Sequence, residues 1–260
     1  MRRLSTVCGV GLMLALAASP AAMADPSWAK VSAELRVTGW TNIDLDSLAV
    51  TGSGSCAYVS DSLLNSDGEA QTWAIGEPIT TTASAVIPTA SALTRTESLY
   101  LFASSTIAPP PGVTSWSGVM PPNPDWDRAY QSWTFTAMDA GPVTFTFDSH
   151  VTVDLQTALA GEEAYGSYEV VYALSSESGG WVSWPGVGGG SFVANGDDYF
   201  DNTMYTSLSR QLSFAAGETG GLHMQIQIAS SANTVVPVPA AVLLGLLGLG
   251  VARLKLRKYA

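Results

Sequence analysis

Hydrophobic and polar residues alternate one by one along most of this chain, the period of a β-strand with one dry and one wet face. Val31, Ala33, Leu35 and Val37 alternate with Ser32, Glu34 and Arg36. Trp133, Phe135 and Ala137 are spaced by Thr, as are Val143, Phe145 and Phe147, and the turn-forming stretch Met138–Pro142 divides the two runs. Val151, Val153 and Leu155 keep the same odd parity. The pattern returns at Tyr168–Leu174, at Leu208–Phe214, and at Leu222, Met224, Ile226 and Ile228. Such strands, separated by Gly, Pro, Asn and Asp, predict an all-β fold. The expected architecture is an antiparallel β-sandwich, jelly-roll-like or immunoglobulin-like, over residues 25–234. Between the termini only Thr157–Ala164 suggests a turn of helix.

Three segments interrupt the alternation. A proline-rich excursion from Pro109 to Asp125 carries Trp116 and leads to Trp126, and a glycine-rich one from Gly179 to Gly190 carries Trp181 and Trp184. Both read as long surface loops between strands. The Thr/Ala/Ser run Thr80–Ala92 reads as an irregular edge strand.

At the two ends the period of two disappears. Met1-Arg2-Arg3 is basic, Val7–Ala18 is apolar, and Ala22-Met23-Ala24 is a small-x-small site. This is the pattern of a secretory signal peptide over residues 1–24, in helical form, cut after Ala24 by signal peptidase once the secretion machinery has engaged it. At the other end Val238–Ala252 carries no charged or polar side chain, and Arg253, Lys255, Arg257 and Lys258 follow. As a helix that run would reach only ~22 Å, short of a hydrocarbon core of ~30 Å. With Val235 and Val236 added and the cations snorkelling, residues 235–260 predict a tail with a short transmembrane helix and its basic end in the cytoplasm.

Val236, Pro237, Pro239, Ala240 and Ala241, followed by the apolar run and the basic end, resemble the PEP-CTERM sorting signal of Gram-negative bacteria. The form is similar to the Val-Pro-x-Pro-Ala-Ala variant; Val238 stands where the commonest form has Glu. The resemblance covers about the last 25 residues and is silent on the fold before them. It implies processing by a membrane-embedded exosortase-type enzyme and a transient stay at the inner membrane. Release to the cell surface or to an exopolysaccharide, biofilm or floc matrix would follow.

Charge narrows the field of partners. All twenty-two acidic residues lie between Asp25 and Val236, against five basic ones there, a formal charge of −17. Such a surface repels nucleic acid and anionic lipid. Cys56 is the only cysteine left after signal removal, so no intramolecular disulfide is expected and stability must come from packing.

Candidate chemistry is sparse. Trp116, Trp126, Trp181 and Trp184 are read as loop aromatics able to stack on sugar rings, or else as rings that cap the core. Asp197, Asp198 and Asp201, with Asn195 and Asn202, gather hard oxygen ligands suited to Ca²⁺, though not in EF-hand spacing; turn chemistry explains the same residues. Asp44 and Asp46 read as a solvated strand face. His150 shares one strand face with Asp148, Thr152 and Asp154, and no ligand spacing links it to His223. There is no Gly-x-Ser-x-Gly elbow, His-Glu-x-x-His or phosphate loop, so no catalytic residue is expected. The expected role is an exported structural or adhesive protein of the surface or matrix. The alternative is a carbohydrate- or Ca²⁺-binding sandwich, and a third reading is a polysaccharide-acting enzyme.

Overall fold

Alternation becomes strand wherever the structure can be read. A computed structural model describes residues 27–62, 67–74, 80–118, 127–177, 179–185 and 189–236, and every regular element among them is a β-strand. The signal peptide with Ala22 and Ala24, Trp126, the sorting residues Pro237, Pro239, Ala240, Ala241, Arg253, Lys255, Arg257 and Lys258, and both expected terminal helices lie outside the described residues. Among the described residues no helix is long and apolar enough to cross a membrane. Pro26–Thr234 forms one compact unit.

The strands in chain order are β1 (Trp28–Thr41), β2 (Ile43–Asp61), β3 (Asp67–Ala74), β4 (Thr81–Ile87), β5 (Ala90–Glu97), β6 (Tyr100–Ile107) and β7 (Thr114–Ser117). Then come β8 (Asp127–Ala137), β9 (Gly141–Thr157), β10 (Glu163–Ser176), β11 (Gly180–Pro185), β12 (Gly190–Asn195), β13 (Asp198–Phe214) and β14 (Thr219–Asn233). They make two antiparallel sheets. One runs β13-β9-β1-β6-β5-β4; the other runs β11-β10-β14-β7-β2-β3, with β12 also on β10 and β8 between β14 and β2.

The parity read from the sequence is the parity of burial. Val143, Phe145, Phe147, Val151, Val153 and Leu155 of β9 are buried while their even neighbours are half-exposed. Leu222, Met224, Ile226 and Ile228 of β14 are wholly buried on the facing sheet. Between them Phe147 stacks on Tyr172 at 4.1 Å, and Phe135 meets Phe145 and Phe214 edge-on at 5.3 and 5.4 Å. Each such ring contributes about 1.5–3 kcal/mol of burial free energy, and edge-on contacts add ~1 kcal/mol. Toward β4 and β5 the filling changes to small and hydroxylated side chains. Ser55 Oγ, Thr81 Oγ1 and Thr96 Oγ1 form a buried chain at 2.8 and 2.9 Å, and Thr94 Oγ1 donates to the Cys56 carbonyl at 3.0 Å. Short side chains let the sheets close together there, with Ser55–Thr81 and Thr94–Cys56 bonds bridging the gap and Thr81–Thr96 joining neighbouring strands.

Three sequence expectations are corrected. Thr80–Ala92 is not one irregular strand but most of a hairpin, β4 and the start of β5 joined at Pro88-Thr89, because its alternation is in register on both sides of the turn. Residues 158–162 form a turn rather than a helix: the buried Glu162 carboxylate accepts the Ala158 and Leu159 N–H groups at 2.9 Å each. The two tryptophan-bearing excursions each contain a strand of their own, β7 and β11, rather than being loop throughout. β7 and β8 pair successively with the same stretch of β14, from Asn233 down to Thr219, and β11 and β12 successively cover β10. Trp116 therefore sits on β7, and Trp181 and Trp184 on β11.

Both ends of the Pro26–Thr234 unit are fastened at one end of the sandwich. Ser27 bonds Glu162, and the next residue, Glu163, pairs with Asn233 of the last strand. Thr234 then exchanges backbone bonds with Val113 and Gly112 at 3.0 and 3.2 Å.

Candidate functional site

The outer face of the eight-stranded sheet carries a cleft of about 270 Å³ near the end opposite to Ser27 and Thr234. Its floor is backbone. Gly220 and Gly221 open β14, and a Cβ on Gly221 would lie 2.5 Å from Ser175 Oγ and 3.0 Å from the Trp181 ring. Glycine here is a spatial requirement, since any side chain would fill the floor. Trp181 forms the wall. It pairs with Ser175 across β11 and β10, is 60% exposed, and stands edge-on to His223 at 6.5 Å and 87°. Hydroxyls of Thr51, Ser132, Thr134, Ser175, Ser176 and Thr219 line the rest, with Glu177 the one charged side chain among the described residues.

His223 adjoins this arrangement, two positions along β14 from Gly221 on the same face. Its register partner on β8 is Ser132, and Ser132 Oγ lies 2.8 Å from Nδ1. Burial pushes the imidazole below its ordinary pKa near 6.5; a hydrogen bond to Gln225 works against that and the Arg128 charge adds to it. The ring is thus neutral at neutral pH. Arg128 in turn lies over Tyr130, 5.4 Å from its centroid.

An aromatic wall, a bare peptide floor and a ring of hydroxyls make a chemistry suited to a polyhydroxylated ring. The indole takes the apolar C–H face, and the hydroxyls and open backbone take the ring's own hydroxyls. The sequence signal for the floor is Gly220-Gly221 directly before the alternating Leu222–Ile228 run, because glycine inside a strand pattern marks a close approach. Ser132, Thr51 and Glu177 give no such signal; register alone brings them together.

The other expected residues are dispersed. Trp116 lies on the same outer face as Trp181, half-buried between Ser60 and Ser231, ten positions of β14 away from Gly221. Trp184 is opposite Tyr172 in register. Asp197 lies exposed in the turn between β12 and β13, Asp198 Oδ1 accepts the Tyr199 N–H at 2.9 Å, and Asp201 faces Asp154 across β13 and β9. Among the described residues no group of three or more His, Cys, Asp or Glu side chains is arranged to hold a metal ion. Asp44 and Asp46 are exposed at an irregularity of β2, where Asp44 Oδ1 accepts the Asp46 N–H at 3.1 Å. His150 lies on the outer face of the other sheet, 6.1 Å from the Tyr205 ring. Cys56 is buried.

No family model and no curated protein sequence matches the chain. Among solved structures it is similar to the crystal structure of vicilin from Corylus avellana (hazelnut), at 9% identity over 81% of this chain and 71% of that one. The TM-score is 0.12, so this likeness carries no argument.

Proposed function

We propose that this chain is an exported, surface- or matrix-associated adhesive protein that holds a saccharide unit in the Trp181 cleft. The observation that carries the reading is the exposed indole standing over the Gly220-Gly221 floor, ringed by hydroxyls and a single carboxylate. The role is binding rather than turnover, and no cofactor is required.

Export and sorting rest on the two ends of the sequence. The fastened body starts at Ser27, three residues past the expected cleavage after Ala24, and ends at Thr234, two before Val236. That spacing supports reading both ends as addresses attached to a finished domain, with signal peptidase and an exosortase-type enzyme as processing partners. Among sandwich topologies we favour the jelly-roll-like one, because from β6 onward the chain crosses repeatedly between the sheets.

A glycan array probed with and without Ca²⁺ tests the reading. Saturable binding that Trp181→Ala removes is the expected result, and its absence on every glycan would overturn the proposed ligand. Dependence of that binding on Ca²⁺ would instead favour a metal-assisted module.

A further inference from the structure

The other end of β10 carries a second hollow on the same outer face, of about 230 Å³. It is lined by Tyr165, Ser167, Tyr168, Glu169, Gly189, Gly190 and Ser191. Its make-up resembles that of the Trp181 cleft: two aromatic residues, one carboxylate, glycines and serine hydroxyls. Ser167 adds an independent sign of a ligand. Its residue is 5% exposed, yet its Oγ has no hydrogen-bond partner. A buried hydroxyl left unpaired costs ~1–3 kcal/mol and is retained where something else satisfies it. Two residues toward the start of β10, Ser231 lies between Tyr165 and Trp116 in register, and Trp116 Nε1 is likewise buried without a partner.

Resting on the proposed reading of the Trp181 cleft, we infer that this hollow is a second subsite and that the ligand is a linear polysaccharide lying along β10, free of acidic groups. Three observations converge on it. The two hollows share one strand and one face, and Ser167 and Ser175 are eight positions apart, about 27 Å at ~3.4 Å per residue. Only a polymer spans that distance. Val171 and Ala173 of β10, paired with Gln225 and His223 of β14, lie between them on the same face. Finally, among the described residues the only charges lining the hollows are the carboxylates of Glu177 and Glu169, in a body of formal charge −17. A uronate polymer would be repelled at both, whereas neutral or amine-bearing sugars are admitted.

The experiment is a titration of the full chain with chitin oligomers of increasing length, alongside chitosan and oligogalacturonate of matched length. Affinity is expected to rise once the oligomer reaches both hollows, because the second contact becomes intramolecular. Ser167→Ala removes an unpaired buried hydroxyl and so leaves the melting temperature unchanged or raised. It should nevertheless weaken long oligomers by about tenfold, the worth of one hydrogen bond to that hydroxyl, and leave short ones untouched. Oligogalacturonate should not bind. Affinity independent of length, or a long-oligomer affinity that Ser167→Ala and Glu169→Gln both leave unchanged, overturns the second subsite while the Trp181 reading stands. Binding of oligogalacturonate as tight as that of chitin overturns the exclusion of acidic polymers. Failure of every oligomer, short and long, overturns the Trp181 reading and this inference with it.

Discussion

Ser27 Oγ donates to the Glu162 carboxylate at 2.5 Å, across 135 positions of sequence. The same buried oxygen accepts the Ala158 and Leu159 N–H groups, while the Glu162 carbonyl accepts from Gly196 N at 3.1 Å. One side chain therefore ties the start of the body to the β9–β10 turn, and its backbone ties that turn to the one before β13. Glu162→Ala should cost ~3 kcal/mol, because three donors lose their acceptor away from water. Ser27→Ala should cost ~1 kcal/mol. Urea unfolding of both variants measures this; an alanine at 162 that unfolds with the wild type would refute the assignment.

Gly220 governs the aromatic end of the core. A Cβ there would lie 2.3 Å from Phe135 Cζ and 2.7 Å from Phe214 Cε1, and Phe135 is wedged between Phe145 and Phe214. Gly220→Ala should destabilise by about 1–3 kcal/mol through overpacking. A thermal melt compared with Ser213→Ala, on the exposed side of β13, would detect it.

At Gly221 the added methyl meets Ser175 Oγ and the Trp181 ring instead. Gly221→Ala should fill the cleft floor and abolish saccharide binding while the fold persists. Trp181→Ala should weaken binding at least ~30-fold, as loss of a central aromatic contact does. Calorimetric titration beside circular dichroism separates the two effects. Unchanged affinity in the Gly221 variant would place the ligand elsewhere.

His223 makes stability fall toward acid. Its folded pKa is depressed below the ordinary 6.5, chiefly by burial, so the unfolded chain binds more protons in the window just below that value. The contribution of the neutral ring is fully present above about 6.5 and is lost as pH falls through that window. Gln225 on its own strand, Arg128 on β8, and the Tyr130 ring at 6.1 Å set its surroundings. A His223→Gln variant should show a flatter stability profile between pH 5 and 7; a profile parallel to the wild type would exclude this histidine as the source.

Sorting through the tail predicts a maturation defect. With Pro237 and Pro239 both replaced by Ala, the chain should accumulate uncut at the inner membrane, whereas the parent appears outside with both ends removed. Intact-mass spectrometry of each fraction reads this directly, and identical mature masses would eliminate the proline pair as the signal.

The period of two was enough to determine which side chains are buried. Alternation of Val143–Leu155 and Leu222–Ile228 put those residues in the core because a strand has only two faces and water covers one of them. At the ends the reading rests on the sequence alone, on unbroken apolar runs next to basic residues that lie outside the described structure. The site was not legible. Its wall, floor and rim come from β2, β8, β10, β11 and β14, and no local pattern reports which strands adjoin. Trp181 was read as a loop residue because Gly and Pro surround it. Pairing with Ser175 made it strand, and the bare backbone of Gly221 made room beside it. Glu162 likewise looked like one acidic residue among twenty-two until the turn closed around it. Face and exposure are local consequences of hydrophobic order, whereas a cleft is a property of register between distant strands, and only packing sets that register.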